Sequence, residues 1–424
     1  MKNSLRILIS FFVLFSLLAV VGCGEDSPEP AAAPEGVVGQ DPAAELLDDV
    51  NIKDRFDRIE SMIATMRAIP PAQIDAIPTV LNELKAKGRE LERVLLVSGW
   101  SRVDPEAATK WVMKREKLEY VRSTMFNETV YAWAAEDPES LRSDFKIGLY
   151  SVRGWDPTML RAFIHGWYDS GEPELETFIR DLGRNGDDQQ RAISELIKVK
   201  LEKETPDEMI AWVTKLKGDE RYRSYAYSRL AADIAAIDPQ RAIAWCDEIC
   251  DTNVGKDLPH WIASSWAREA GADAMDWLLA RPETPAVRVG IRASYRLFQK
   301  TSPEEADAWL EKFPEEKLSS ELFQGPVIMY VNRQSQLANN EVAIEWTKYI
   351  DNDWELERSL KSIAGRWLRR DEDAAKTWLA TNEDLSDDVK AELITKHERY
   401  KKKAAKTREQ RKSRPAWVKQ KLAE

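Results

Sequence analysis

Histidine and cysteine are almost missing from this chain: three of each stand among 424 residues. His165, His260 and His397 lie far apart without ligand spacing, so they read as structural or solvated side chains, not as a metal centre. Glycine is scarce as well, at 18 residues. No Gly-rich phosphate loop, nucleophile elbow, His-Glu-x-x-His run or Cys-x-x-Cys pair occurs. β-Branched runs are few, which removes the signal for strands. Acidic residues are many, but they read as helix caps and solvated faces before any acid–base pair. The chain is therefore expected to carry no cofactor, no metal and no catalytic residue. Trp, Ala, Leu, Glu, Lys and Arg dominate instead, a composition that favours helix.

The long apolar run sits at the N-terminus. Lys2 and Arg6 precede Ile7 to Gly22, 16 residues without a charge. A membrane-crossing helix needs about 20 such residues, so the run reads as the apolar part of a signal segment. It ends in Val20-Val21-Gly22-Cys23, which resembles the lipobox of bacterial lipoproteins. The resemblance implies cleavage behind Gly22, lipid on the Cys23 thiol, and a body held at a membrane outside the cytoplasm. Val20 stands where that family prefers leucine. An uncleaved, slightly short anchor is the alternative, and it too would tether the chain. Gly24 stands where enterobacterial lipoproteins of the inner membrane carry aspartate, so the resemblance favours the outer membrane, facing the periplasm.

The whole chain carries −11, and the segment before Cys23 contributes +2. Residues 396–424 hold twelve Lys/Arg against three Glu, which leaves 23–395 at −22. Such an acidic body is unsuited to non-specific nucleic-acid binding. The basic end has two readings: a solvated tail lying on the acidic body, or a contact with anionic lipid headgroups or envelope polymer. Residues 24–50, rich in Pro, Ala, Glu and Gly, lack periodicity and read as a flexible tether. Cys246 and Cys250 are four apart on one predicted helix. Cys246 takes a slot that other units fill with Val112, Val213, Leu278, Leu310 or Leu379, so the pair reads as two buried thiols. A local disulfide, which an oxidising compartment permits but helix geometry does not favour, is the alternative.

One residue keeps returning. Trp111, Trp212, Trp245, Trp277, Trp309, Trp346 and Trp378 each follow a turn signal, and the last six are spaced 33, 32, 32, 37 and 32 apart. A period of this size marks an array of small helical units. Asp, Ser or Thr before proline is a helix start: the side-chain oxygen takes up free N–H groups, and proline at the first helical position loses no hydrogen bond. Nine units open at Asp104-Pro105, Asp137-Pro138, Glu172-Pro173, Thr205-Pro206, Asp238-Pro239, Gly271, Ser302-Pro303, Asn340 and Asp371. The second departs, with Asp144 in the tryptophan slot and Phe145 one residue late. The third is shifted by one at its proline. A second register lies 11 residues before the first, at Trp100, Trp133, Trp167, Trp266, Phe298 and Trp367, with Ile234 in one unit. It closes the second helix of each hairpin, here B, as the first register marks the first helix, here A. Twelve of the 16 tryptophans fall into these registers and read as buried anchors. Trp155, Trp261, Trp354 and Trp417 fall outside and are the candidates for exposure.

The hairpins resemble the tetratricopeptide repeat, and more closely the Trp-rich, Asp-Pro-punctuated hairpins of bacterial exported proteins. Unit length, the proline between units and the tryptophan after it fit. The Leu-Gly pair of the repeat is absent, since Lys215-Leu216 and Lys312-Phe313 stand there. The resemblance covers roughly residues 95–384 and implies an all-α, tetratricopeptide-like α-solenoid of about nine hairpins. The expected organisation is a signal peptide at 1–22, a tether at 23–50, helices at 51–94, the solenoid at 95–384, and a basic C-terminal helix and tail at 385–424. Val389, Leu393, His397, Tyr400 and Ala404 would form the face of that last helix. The expected role is a membrane-anchored scaffold of the cell envelope that binds a protein or peptide partner without catalysis, through a concave groove of stacked A helices. The alternative is an α/α toroid that binds or processes glycan. Aromatic and acidic richness fits it; the visible repeat does not.

Overall fold

Helices begin where short polar side chains take up free backbone N–H groups. Thr205 Oγ1 accepts from the Glu208 amide at 3.3 Å while the Glu208 carboxylate accepts from the Thr205 amide at 2.7 Å. Asp104, Asp137, Asp238 and Asp371 accept from the amides of Ala107, Ser140, Arg241 and Ala374 at 2.8–3.1 Å. The third unit differs. Its chain passes through Glu174 at φ 74°, and the helix starts at Leu175 without a side-chain cap. The computed structural model describes residues 42–70, 73–74, 77–115, 119–148, 157–182 and 186–412, which contain helices and no strand. The predicted signal peptide at 1–22, Cys23, Trp155 and Trp417 lie outside the described residues.

Two units divide the chain at Leu96. The first holds α1 (Pro42–Asp49), α2 (Arg55–Ala68), α3 (Ile77–Ala86) and most of α4 (Glu90–Trp100). The first of these helices corrects the predicted tether, whose last residues are folded. Leu46 and Val50 are fully buried, and Asp49 accepts from Ser61 Oγ at 2.6 Å and Thr65 Oγ1 at 2.7 Å on α2. A buried ion pair, Arg58 to Glu92 at 2.7 Å, ties α2 to α4. Arg58 also donates to the Ile52 carbonyl, so its remaining N–H groups are satisfied.

The second unit runs in hairpins. They are α5 (Pro105–Arg115) with α6 (Glu119–Glu136), α7 (Pro138–Gly148) with α8 (Pro157–Ser170), α9 (Leu175–Asp181) with α10 (Gly186–Leu201), and α11 (Pro206–Thr214) with α12 (Glu220–Ala235). Next come α13 (Pro239–Ile249) with α14 (Leu258–Trp266), α15 (Gly271–Leu279) with α16 (Pro285–Thr301), and α17 (Pro303–Glu311), which reaches its partner through the one-turn α18 (Glu315–Leu318) and a 3-10 turn, Glu321–Phe323. That insertion accounts for the 37-residue interval. Its partner is α19 (Gln324–Gln336), followed by α20 (Asn340–Glu345) with α21 (Asp353–Arg370), and α22 (Glu372–Thr381) with the long α23 (Asp387–Lys412).

Each B helix packs on the B helix of the next hairpin: α6 on α8, then α10, α12, α14, α16, α19 and α21 in turn. The A helices pack chiefly on the B helices beside them. Small residues let the B layer close up. A Cβ on Gly166 would sit 2.4 Å from the Tyr131 carbonyl oxygen and 2.8 Å from the Ala134 Cβ, so α8 lies directly on the α6 backbone. Gly271 is opened by the opposite need: the ring of Phe298 fills the space where its Cβ would stand. Between the layers lies a core that includes Met275, Leu278, Ile291, Tyr295, Phe298, Trp309, Phe323 and Tyr330. A smaller cluster, Leu360, Ala364, Leu368, Ala375, Leu379 and Leu385, holds the last hairpin, and Val389, Leu393 and Ile394 of α23 pack against it. On that predicted last face His397 is buried, whereas Tyr400 and Ala404 are exposed.

Candidate binding face

The twelve register tryptophans divide into two groups. Trp100, Trp133, Trp167, Trp245 and Trp309 are buried; Trp111, Trp212, Trp266, Trp277, Trp346, Trp367 and Trp378 are half-buried. An indole N–H taken out of water needs an acceptor, and two A-helix rings show where it is found. Trp212 Nε1 donates to Glu176 and Trp309 Nε1 donates to Asp276 at 2.8 Å, in each case a carboxylate of the preceding A helix. Cations cover the remaining faces: Arg281 lies 4.4 Å from the Trp277 ring centre and Lys200 lies 5.1 Å from that of Trp212. Rings so occupied offer little to a stacking ligand. Trp261 and Trp354, outside the registers, are 41% and 65% exposed.

The exposed face of the B layer carries two charged clusters of different character. The first joins α8, α10 and α12. His165 Nε2 lies 3.5 Å from the Glu195 carboxylate, Lys198 pairs with the same carboxylate at 2.7 Å, and Arg229 grips Asp233 through two bonds of 2.8 and 2.9 Å. Burial pushes the Glu195 pKa up, but hydrogen bonds from His165 and Lys198 outweigh it and hold the group at about 2. Asp233 goes the other way: burial raises it despite Arg229, and the charge of Glu195 adds to the rise. Lys198 pairs within α10 and Arg229 within α12, while His165 and Arg161 of α8 reach across to Glu195 of α10, so each carboxylate here has a cation beside it and the link between helices runs from α8 to α10. The other histidines stay apart, His260 beside Ser264 and His397 beside Glu372, each at 3.3 Å. Among the described residues no group of three His, Cys, Asp or Glu could hold a metal ion.

The second cluster is not balanced. A groove of about 790 Å³ opens over α16, α19, α21 and α23. Six cations line it, Arg292, Arg358, Lys361, Arg366, Arg369 and Lys396, against two carboxylates, Glu355 and Glu392. Arg358 has Glu355 at 3.5 Å and Lys361 pairs with Glu357. Arg366 is half-buried and donates to neutral oxygens, Asn332 Oδ1 at 3.4 Å and Ser335 Oγ at 3.2 Å. Burial, then the nearby charges of Arg369 and Arg370, push its pKa down. Ile328, Met329, Leu393 and Tyr400 add apolar surface to the same lining. The groove therefore presents guanidinium groups beside apolar side chains, a combination suited to an anion with hydrophobic parts.

No protein-family model, curated protein or solved structure matches this chain. Among the described residues no helix is long and apolar enough to cross a membrane.

One reading from the sequence changes. Cys246 and Cys250 are joined by a disulfide, with Cα atoms 4.9 Å apart, and do not remain as two thiols. Cys250 is the residue that caps α13, where the helix ends and the backbone is freer to bring the sulfurs together. The cation-lined groove lies on B helices and α23, a different place from the concave A-helix groove expected as the contact surface. In the sequence these cations stand beside the longer Lys/Arg-rich run at 396–424, which dominates the charge pattern of the C-terminal part. A signal was present: Arg358, Lys361, Arg366, Arg369 and Arg370 follow one another with no acid among them, at spacings that recur on one helix side.

Proposed function

We propose that the protein is a lipid-anchored helical-repeat scaffold of the bacterial cell envelope that binds a protein or peptide partner and performs no chemistry on it. The groove over α16, α19, α21 and α23 carries this reading, because its cations outnumber the carboxylates beside them, whereas the charges around Glu195 and Asp233 are paired. Helices opening at the predicted turns, and contacts that run from each hairpin to the next, support a tetratricopeptide-like solenoid as the body. Lipid on Cys23 and a tether through residue 41 would hold that body near the outer membrane. Eighteen such residues span roughly 20–25 Å r.m.s.. The B layer, not the A layer, is the contact face.

A photo-crosslinking residue at Met329 in the full chain tests this in cells. A partner captured from Met329, and not from the exposed Glu304 of α17, is the expected result. Capture from Glu304 alone would move the contact to the A layer. Turnover of cell-wall or glycan substrates by the purified protein would overturn the non-catalytic reading. Fatty-acid labelling should vanish in Cys23→Ala, and equal labelling would refute the lipid anchor. Small-angle scattering of the chain from residue 23 with Cys23→Ser should report an elongated or arced particle. A compact globule would favour a toroid.

A further inference from the structure

We propose that the groove over α16, α19, α21 and α23 binds an acidic peptide segment in extended form, its carboxylates held by Arg292, Arg366 and Arg369 and its apolar side chains resting on Ile328, Met329 and Leu393. This rests on the scaffold reading and names the chemistry of its partner. Charge is the first support. Among the described residues Arg292 and Arg369 have no carboxylate within ion-pair distance, although the chain as a whole carries −11. An acidic protein that gathers unneutralised arginines in one groove has built a place for an outside anion. The stem of Arg292 is also fixed: Gly325 of α19 leaves the space it occupies, with Arg292 Cγ only 2.8 Å from where a Cβ would be. Arg366 is partly desolvated against neutral oxygens, so an arriving carboxylate gains a charge-assisted, two-pronged contact.

Size and lining select a peptide over a bare polyanion. Three B helices packed about 8–10 Å apart span roughly 20 Å. An extended chain at about 3.3 Å per residue crosses that distance in about six residues. The apolar side chains between the arginines would be wasted on polyphosphate or on a string of glutamates, but they suit alternate positions of an extended peptide, whose side chains point to opposite faces. A planar membrane surface meets a different obstacle, since headgroups would have to enter a concave site between helices.

The probe is a fluorescein-labelled octapeptide of alternating Glu and Leu, titrated against the full mature chain by fluorescence anisotropy. We expect binding that weakens as salt rises and that falls about tenfold or more in Arg292→Ala/Arg369→Ala, both exposed positions whose loss should leave the melting curve unchanged. Met329→Ser should weaken it severalfold. Equal binding by the double variant overturns the proposal. So does hexaglutamate or inorganic polyphosphate binding as tightly and ignoring Met329→Ser, because the occupant is then a polyanion. Phosphatidylglycerol vesicles that displace the peptide with the same arginine dependence would make a lipid surface the occupant instead. If a partner crosslinked in cells is still captured by the double variant, the groove fails while the scaffold stands. If the unaltered chain captures no partner yet binds the octapeptide as described, the groove stands while the scaffold fails.

Discussion

Trp245 is closed off on all sides, with Tyr227 stacked against it at 5.4 Å between ring centres. Trp245→Ala leaves a cavity and is expected to cost about 3–5 kcal/mol, read as a shifted urea midpoint. Trp277→Ala should cost less, since Arg281 and solvent already share its ring. Equal losses would mean that the two rings have the same surroundings. The tryptophan register was legible because spacing alone sets which side of a helix a residue takes. How deeply each ring sinks was not legible. It depends on which side chains close over the ring from elsewhere in the chain, as Tyr227 of the preceding hairpin does over Trp245. A second residue departs from its local preference. Ala338 closes α19 at φ 71°, a region that disfavours any residue with a Cβ. Ala338→Gly should therefore stabilise the protein by about 0.5–1 kcal/mol, the left-handed penalty less the entropy of glycine. A lower melting temperature would show that the strain is not there.

At the scale of the element, the Asp-Pro starts at residues 104, 137 and 238 could be read directly, because cap chemistry is local. The same signal stands at Asp41-Pro42, before Ala-Ala-Glu-Leu-Leu, yet the composition of 24–50 hid it. What makes that short helix fold is tertiary: burial of Leu46 and Val50, and hydroxyls of α2 on Asp49. The third unit shows the converse, a proline signal that the chain overrides by starting at Leu175. Contacts between elements were the least legible, as in the clamp of α8 on α10. Glu195 has its pKa held down in the folded chain, to about 2. Its contribution to stability is therefore complete above the ordinary carboxylate range, near pH 4.5, and is lost as pH falls towards 2. Glu195→Gln should flatten that acid limb of the stability curve, measured by denaturant melts between pH 5 and about pH 2.5. An unchanged slope would remove Glu195 from the clamp.

Across the whole molecule, polar contacts repeat at the period of the sequence. Lys110 meets Asp144 at 2.8 Å, Arg241 meets Asp207 at 2.6 Å and Lys348 meets Glu315 at 2.9 Å, partners 33 or 34 residues apart. Exposed pairs of this kind add little energy each, so they fix register while the apolar layers hold the units together. Stability built from neighbour contacts has an end, and the C-terminal end is covered by α23. Its residues Val389, Leu393 and Ile394 close the last apolar cluster, and Glu392, Leu393 and Lys396 form one wall of the groove. The expected solenoid ends at 384, yet α23 beyond it packs on the last apolar cluster. A chain ending at Asp384 exposes Leu360, Leu368 and Leu379 and should lose hydrogen-exchange protection in α21 and α22. The loss should fade through α19 and leave α12 and α14 as they were, because each hairpin leans on the next. A chain ending at Lys412 keeps every described contact and should exchange like the full protein. If truncation at Asp384 instead lowers protection evenly from α5 to α22, the unit folds as one cooperative body, and an array whose units communicate with their neighbours alone is the wrong description.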